Sequence, residues 1–454
     1  MKRYLLLALL TTSVNAAEPV RWRQVALPAP ANGDLQQTDE QLLVAGEDKQ
    51  QRFLTRIDTR SWQASAITLP PGADHFCTLA DGKVLLFAGN QVYLAGRSQP
   101  LGKIDSYWLG QAGGRIRAVS WCHGQQLLVP GFVALRVYQV GDEGLQLQAT
   151  LPVPVMTDLA NGGVRYQAPK RFWADVNLDG KDDLLVEQGQ GLQLYLATAD
   201  GFLPQAISFA PELALTPPAR RAFRTGDDFS KLRIRSVEKL VDLNGDGLSD
   251  LIIENLSSKS LLDQNISYEL HLGRKTENGL AFTVTPDSRF NAEGVPFALN
   301  LADVNGDGRQ DLYSSSVKMG LGKVVSALLT GSVDVDLHLE QLDRQGRLQA
   351  VGKGIEAQMA VSIGSGQFSI PLIAAVTLKT GVTMAVQDDD KSLLLYRLVG
   401  KQLKRYQKLT LPLPKDGSRW RTGRGYLAIF PGPQDKTANH LLLVGDDLPS
   451  IAEP

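Results

Sequence analysis

The sequence predicts an all-β chain folded as a β-propeller, with eight blades, or seven if one repeat copy is false. Three observations predict it. A short apolar run recurs along the chain, further strand-like runs follow each copy, and the two termini carry complementary fragments of one repeat unit. Self-similarity at a period of tens of residues is the mark of a repeat architecture.

The recurrent run reads LLVAGE from Leu42, VLLFAG from Val84, LLVPG from Leu127 and LLVEQ from Leu184. It continues as LIIEN from Leu251, LYSSS from Leu312, MAVQD from Met384 and LLLVGD from Leu441, at intervals of about 42 to 72 residues. A turn and a second apolar run follow, such as LRVYQV from Leu135, LQLYLA from Leu192, YELHLG from Tyr268 or LLLYRL from Leu393. A further run often ends in proline, as in LQLQATLPVP from Leu145 and KLTLPLP from Lys408. Runs of this length, bounded by Gly, Asp and Pro, are strands. Three or four strands per unit, repeated seven or eight times, make a propeller.

The ends predict closure of the ring. RWRQVALPAP from Arg21 reads as a third or fourth strand with nothing before it. YLAIFPG from Tyr426 and LLLVGD from Leu441 read as first and second strands with nothing after. Joined in one blade they would leave no exposed sheet edge. The expected organisation is therefore a signal peptide over 1–17 and a single propeller domain over 18–454. The long Gly- and Ser-rich interval 314–383 is an insertion or an irregular blade.

The leader is read from Lys2 and Arg3, the apolar run Tyr4–Leu10 and the small residues before cleavage after Ala16 or Ala17. The run is too short to span a bilayer, and no later run of about 18 apolar residues occurs. The expected location is the periplasm or the extracellular space. The chain is 43 % hydrophobic and 21 % charged, which is ordinary globular composition. Its 47 Lys and Arg against 48 Asp and Glu argue against a nucleic-acid binder. Cys77 and Cys122 are the only cysteines. In an oxidising compartment they read as one disulfide, the alternative being two buried thiols. Both fall in the first, innermost strands of neighbouring blades.

Three copies carry an acidic loop just before the apolar run: DVNLDGKDD from Asp175, DLNGDGLSD from Asp242 and DVNGDGRQD from Asp303. Calcium takes six to eight oxygens. Positions 1, 3, 5 and 9 offer side-chain oxygens, position 7 its carbonyl, and the Gly at position 6 allows the sharp turn. The ligand sets are Asp175, Asn177, Asp179, Lys181 (carbonyl) and Asp183; Asp242, Asn244, Asp246, Leu248 (carbonyl) and Asp250; and Asp303, Asn305, Asp307, Arg309 (carbonyl) and Asp311. About three calcium ions are expected. An EF-hand would need Glu at position 12 and a following helix. Here that position is Val186, Ile253 or Ser314, inside a β run.

These loops resemble the calcium loops of FG-GAP/VCBS repeats, found in integrin alpha-chain propellers and in exported bacterial proteins. The resemblance covers roughly 165–320. It implies structural ions that brace the propeller on the face opposite ligand contacts.

Cations recur just before expected inner strands: Arg115 and Arg117, Lys170 and Arg171, Arg233 and Arg235, then Arg419, Arg421 and Arg424 around Trp420. If the acidic loops join first and second strands, these cations gather at the opposite channel mouth. There they would face an anionic partner, an acidic glycan or a protein patch; the alternative is scattered solvated arginines. VDVDLHLE from Val333 sets Asp334, Asp336, His338 and Glu340 on one strand face, a metal site or, more simply, a solvated outer face.

No catalytic signature is found: no HExxH, GxSxG or Walker loop. The expected function is a non-enzymatic binding or scaffold module. The runner-up is an exported hydrolase or lyase with its site at the channel mouth, and a third reading is a structural part of an envelope assembly.

Overall fold

The computed structural model describes residues 19–448 apart from 49–50, 105–119, 161–162, 200, 219–220, 222–227, 229, 231, 261–262, 293, 318–331, 353, 363–366, 415–418, 433–434 and 436–438. The expected leader, 1–17, lies outside the described residues. Among the described residues there are eight antiparallel sheets of four or more strands, and the only helical element is the 3-10 turn Pro211–Leu213. No helix among them is long and apolar enough to cross a membrane.

Each of these sheets is one blade, seven of them built from one stretch of the chain and the eighth from both ends. Blade 1 is Leu35–Gln37, Gln41–Asp48, Gln51–Asp58 and Ala64–Ile67; blade 2 is Ala73–Thr78, Val84–Ala88, Gln91–Leu94 and Pro100–Lys103. Blade 3 is Trp121–His123, Gln126–Pro130, Leu135–Val140 and Leu145–Leu151; blade 4 is Arg171–Ala174, Asp183–Gln188, Gly191–Tyr195 and Ile207–Phe209. Blade 5 is Arg233–Val241, Asp250–Ser260, Asp263–His271 and Ser288–Ala292. Blade 6 runs Val295–Ala302, Asp311–Val317, Ser332–Leu342, Ile355–Ser362 and Gln367–Ser369, with Leu348–Ala350 as a side strand. Blade 7 is Ile373–Leu378, Gly381–Asp389, Ser392–Val399 and Gln402–Thr410. The interval 314–383 thus holds the outer strands of a six-stranded blade 6 and the first strand of blade 7.

Blade 8 closes the ring. Arg419–Gly423, Tyr426–Phe430 and His440–Gly445 are its first three strands, and Arg21–Ala26 pairs antiparallel with His440–Gly445 as the fourth. This corrects the reading of the C-terminus. YLAIF and LLLVG are second and third strands, because RWRTG at 419–423 supplies the first. LLLVGD is therefore not a repeat of the second-strand run; in blade 8, YLAIF is.

The packing explains why the recurrent runs are continuously apolar. Eight clusters of buried side chains fill the eight blade-to-blade interfaces. Second strands are covered on both faces: Leu127 and Val129 pack toward blade 2, while Leu128 between them packs toward blade 4. A strand buried on both faces has no polar side to alternate with. First strands of neighbouring blades touch, as at Ile373–Leu378 with Arg419–Gly423 and Arg171–Ala174 with Arg233–Val241. The Cys77–Cys122 disulfide joins two such first strands, in blades 2 and 3.

Candidate metal loops and the opposite channel mouth

The three acidic loops are the turns between first and second strands of blades 4, 5 and 6, at the same end of the ring. They share one conformation. The first Asp accepts N–H groups across the turn: Asp175 from Asp179 and Gly180 (2.9 and 2.7 Å), Asp242 from Gly245 and Gly247 (2.7 and 2.9 Å). Asp303 accepts from Gly306 and Gly308 (2.7 and 2.8 Å). The Asn at position 3 donates to the Asp at position 5, over 3.2, 3.0 and 2.8 Å in the three loops. That Asp accepts the N–H of position 7 at 3.0, 2.9 and 3.0 Å. The backbone turns left-handed at Gly180, Gly247 and Gly308, with φ of 87°, 84° and 84°.

The ninth-position Asp does a second job. Asp183, Asp250 and Asp311 are fully buried. One oxygen of each accepts the N–H of loop position 2, from Val176, Leu243 or Val304 at 3.0, 2.8 and 3.1 Å. The other accepts an N–H just beyond or at the end of the third strand, from Ala197, Gly273 or Leu342 at 2.7, 2.8 and 3.1 Å. Burial pushes the Asp183 carboxyl up, and it pushes Asp250 and Asp311 up to about 6. Nearby loop carboxylates add to the effect, Asp246 and Asp242 on Asp250, Asp307 and Asp303 on Asp311.

Backbone bonds tie this end of the ring from blade to blade. The Leu280 N–H of blade 5 donates to the Val176 carbonyl (2.7 Å), and the Gln310 N–H to the Leu243 carbonyl (2.7 Å). Among the described residues no group of three or more His, Cys, Asp or Glu side chains stands ready around one point. The donor set nevertheless suits a hard cation. Every side-chain ligand candidate is an oxygen, and a carboxylate oxygen that accepts one N–H keeps a second lone pair for an ion.

The structure divides the expected basic face. Arg115 and Arg117 lie outside the described residues. Lys170, Arg171 and Arg233 stand at the starts of first strands, at the mouth opposite the loops. Lys170 donates to the Val237 carbonyl (3.0 Å) and lies 3.8 Å from Glu238; Arg171 stacks over Trp121 at 3.6 Å. Arg233 donates to the Leu232 and Ser258 carbonyls. Arg235 turns inward and pairs with the buried Glu269 at 2.5 Å. Arg424 is on the other face: it sits in the turn between first and second strands of blade 8. There it lines a cavity of about 940 Å³ with Asp303 and Asn305 of the third loop. VDVDLHLE lies in the third strand of blade 6, and Asp334, Asp336, His338 and Glu340 form its more solvated face, opposite buried Val335, Leu337 and Leu339. Asp334 is exposed, whereas Asp336, His338 and Glu340 are half-buried, and His338 lies 3.3 Å from Ser316 Oγ.

A second cavity, of about 760 Å³, opens at the mouth opposite the loops. It is lined by first-strand residues and crossovers of blades 1, 6, 7 and 8, including Asp34, Phe297, Asn300, Arg419, Trp420 and Arg421. Arg419 donates to the Ala31 and Pro431 carbonyls, and Arg421 to the Trp420 and Leu35 carbonyls. Burial pulls Arg419 down to about 10 and lowers Arg421. The sequence pattern singled out Arg419 and Arg421 together around Trp420, and nothing in the sequence marked Asp34 or Asn300.

No family model matches the chain, and no curated protein matches it. Solved structures do. A lectin of Agrocybe aegerita, specific for non-reducing terminal N-acetylglucosamine, is 16 % identical with TM-score 0.42, over 87 % of this chain and 91 % of that one. The Dos1 propeller is 11 % identical with TM-score 0.34, over 95 % and 96 %. The RRP9 WD40 repeats are 11 % identical with TM-score 0.36, over 95 % and 99 %. The blade count rests on this chain's own sheets.

Proposed function

We propose that the chain is an exported, calcium-braced propeller of the FG-GAP/VCBS type that works by binding and not by catalysis. One observation carries the reading: three acidic loops with one hydrogen-bonding pattern occupy the same turn of three successive blades. A solvating surface turn has no reason to repeat its acceptors residue for residue. Calcium would be held by the side chains at positions 1, 3, 5 and 9 and the carbonyl at 7. It would relieve the repulsion among three carboxylates per loop and offset the burial of Asp183, Asp250 and Asp311. The disulfide supports a non-reducing compartment. With a site affinity of about 10⁻⁴ M and roughly millimolar calcium, each ion would stabilise the fold by about 1.4 kcal/mol.

The test is thermal unfolding of the mature protein in calcium, in magnesium and in chelator. The expected result is a midpoint several degrees higher in calcium, not reproduced by magnesium and reduced stepwise by Asp175→Ala, Asp242→Ala and Asp303→Ala. Identical midpoints in all three conditions would remove the metal from this reading.

A further inference from the structure

The cavity at the mouth opposite the acidic loops carries an unbalanced pair of cations. Arg419 and Arg421 are two residues apart on one strand, so both guanidinium groups lean to the same side, against the crossover that leads into blade 1. Each is half-buried. Their hydrogen bonds go to neutral backbone carbonyls; Asp34 is the one carboxylate that acts on Arg419, through space. A guanidinium has five N–H donors, and each uses only two in these bonds. Two half-buried cations that share one nearby carboxylate are under-compensated. An incoming anion would repair the imbalance, and a carboxylate matches the planar fork of two N–H groups.

The rest of the lining narrows the ligand. Asp34 is exposed and lines the same cavity. It makes the local balance two cations to one anion, which suits one negative charge and disfavours a polyanion such as a phosphate cluster. A carboxylate next to a neutral amide, Asn300, is a pair that accepts from and donates to hydroxyl groups. Half-buried Phe297 supplies an apolar ring. The volume, about 760 Å³, is that of a pocket for a small ligand and not of a flat protein interface. We propose that this cavity binds an acidic sugar, its carboxylate on Arg419 and Arg421 and its hydroxyl groups on Asp34 and Asn300. The proposal rests on the binding-module reading above and gives that reading a ligand class.

The experiment is titration calorimetry of the calcium-loaded mature protein. The probes are trigalacturonic acid and a hyaluronan tetrasaccharide, and the controls are the methyl ester of each and neutral chitotriose. The expected result is binding of at least one acid oligosaccharide that weakens with added salt and is at least about tenfold weaker for its methyl ester. Arg421→Gln and Asp34→Ala should each weaken it by about tenfold or more. Asp34 is exposed, so its variant tests the site even if Arg421→Gln fails to fold. Absence of binding by both acids, equal binding of acid and ester, or unchanged binding in Asp34→Ala and Arg421→Gln would each overturn the proposal. The calcium-dependent midpoint is read on the same samples. A protein that keeps that shift and binds no acid sugar loses this proposal alone.

Discussion

Gly247 has φ 84° and no heavy atom within 4 Å of where a Cβ would stand. Its role is therefore conformational and not steric. Gly247→Ala should cost about 1 kcal/mol, read as a lower urea midpoint in chelator with an unchanged slope. Glu340, between Leu312 and Ala350 in blade 6, makes a different case. Burial raises its carboxyl to about 7, against an ordinary 4.5. A raised acid favours the folded state while protonated, so this contribution is present below about pH 4.5 and is lost as the pH climbs through 7. Glu340→Gln should flatten that part of the stability-versus-pH profile. At pH 8 it should gain about 1 kcal/mol, less than the full shift implies because the group is half-solvated. The residues of the acidic loops were legible one by one, because positions 1, 3 and 5 act within a single turn. The burial of Asp183, Asp250 and Asp311 was not, since half of their partners come from around the end of a third strand 14 to 31 residues away.

Strands and turns are where local pattern and neighbouring blades meet. The apolar second strands were readable because burial on both faces leaves an unbroken hydrophobic run. The half-exposed outer strands, such as Gln402–Thr410, carry a weaker signal. The disulfide belongs to this scale. It ties first strands that are 45 residues apart in sequence. On chain-entropy grounds, replacing Cys77 and Cys122 by Ala together should cost about 4 kcal/mol, measured by chemical unfolding against the oxidised parent. The cations before first strands were also visible as a pattern. Their destinations were not: Arg235 is drawn to Glu269 of the third strand of its own blade, and Arg424 falls in a turn on the loop face.

At the scale of the whole molecule, stability depends on a closed ring. The N-terminal strand Arg21–Ala26 pairs along its full length with His440–Gly445, and Val25 and Leu27 are buried against blades 8 and 1. Deleting residues 19–26 would leave His440–Gly445 as an unpaired edge and open one of eight interfaces. The expected outcome is association or aggregation in size-exclusion chromatography and a broadened unfolding transition, whereas a monomer with the parent's cooperativity would mean that seven closed interfaces suffice.

What the sequence determined by itself was whatever repeats or acts within a few residues: the all-β class, the second-strand runs, the acidic loops, the complementary ends. These follow from short-range patterning, which a chain cannot hide. Only the tertiary structure decided which strand of blade 8 each terminal fragment becomes, which arginines share a mouth, and that Arg419, Arg421 and Asp34 line one cavity. Asp34 and Arg421 are nearly the whole chain apart and meet because the ring closes. Proximity created by closure leaves no trace in local periodicity.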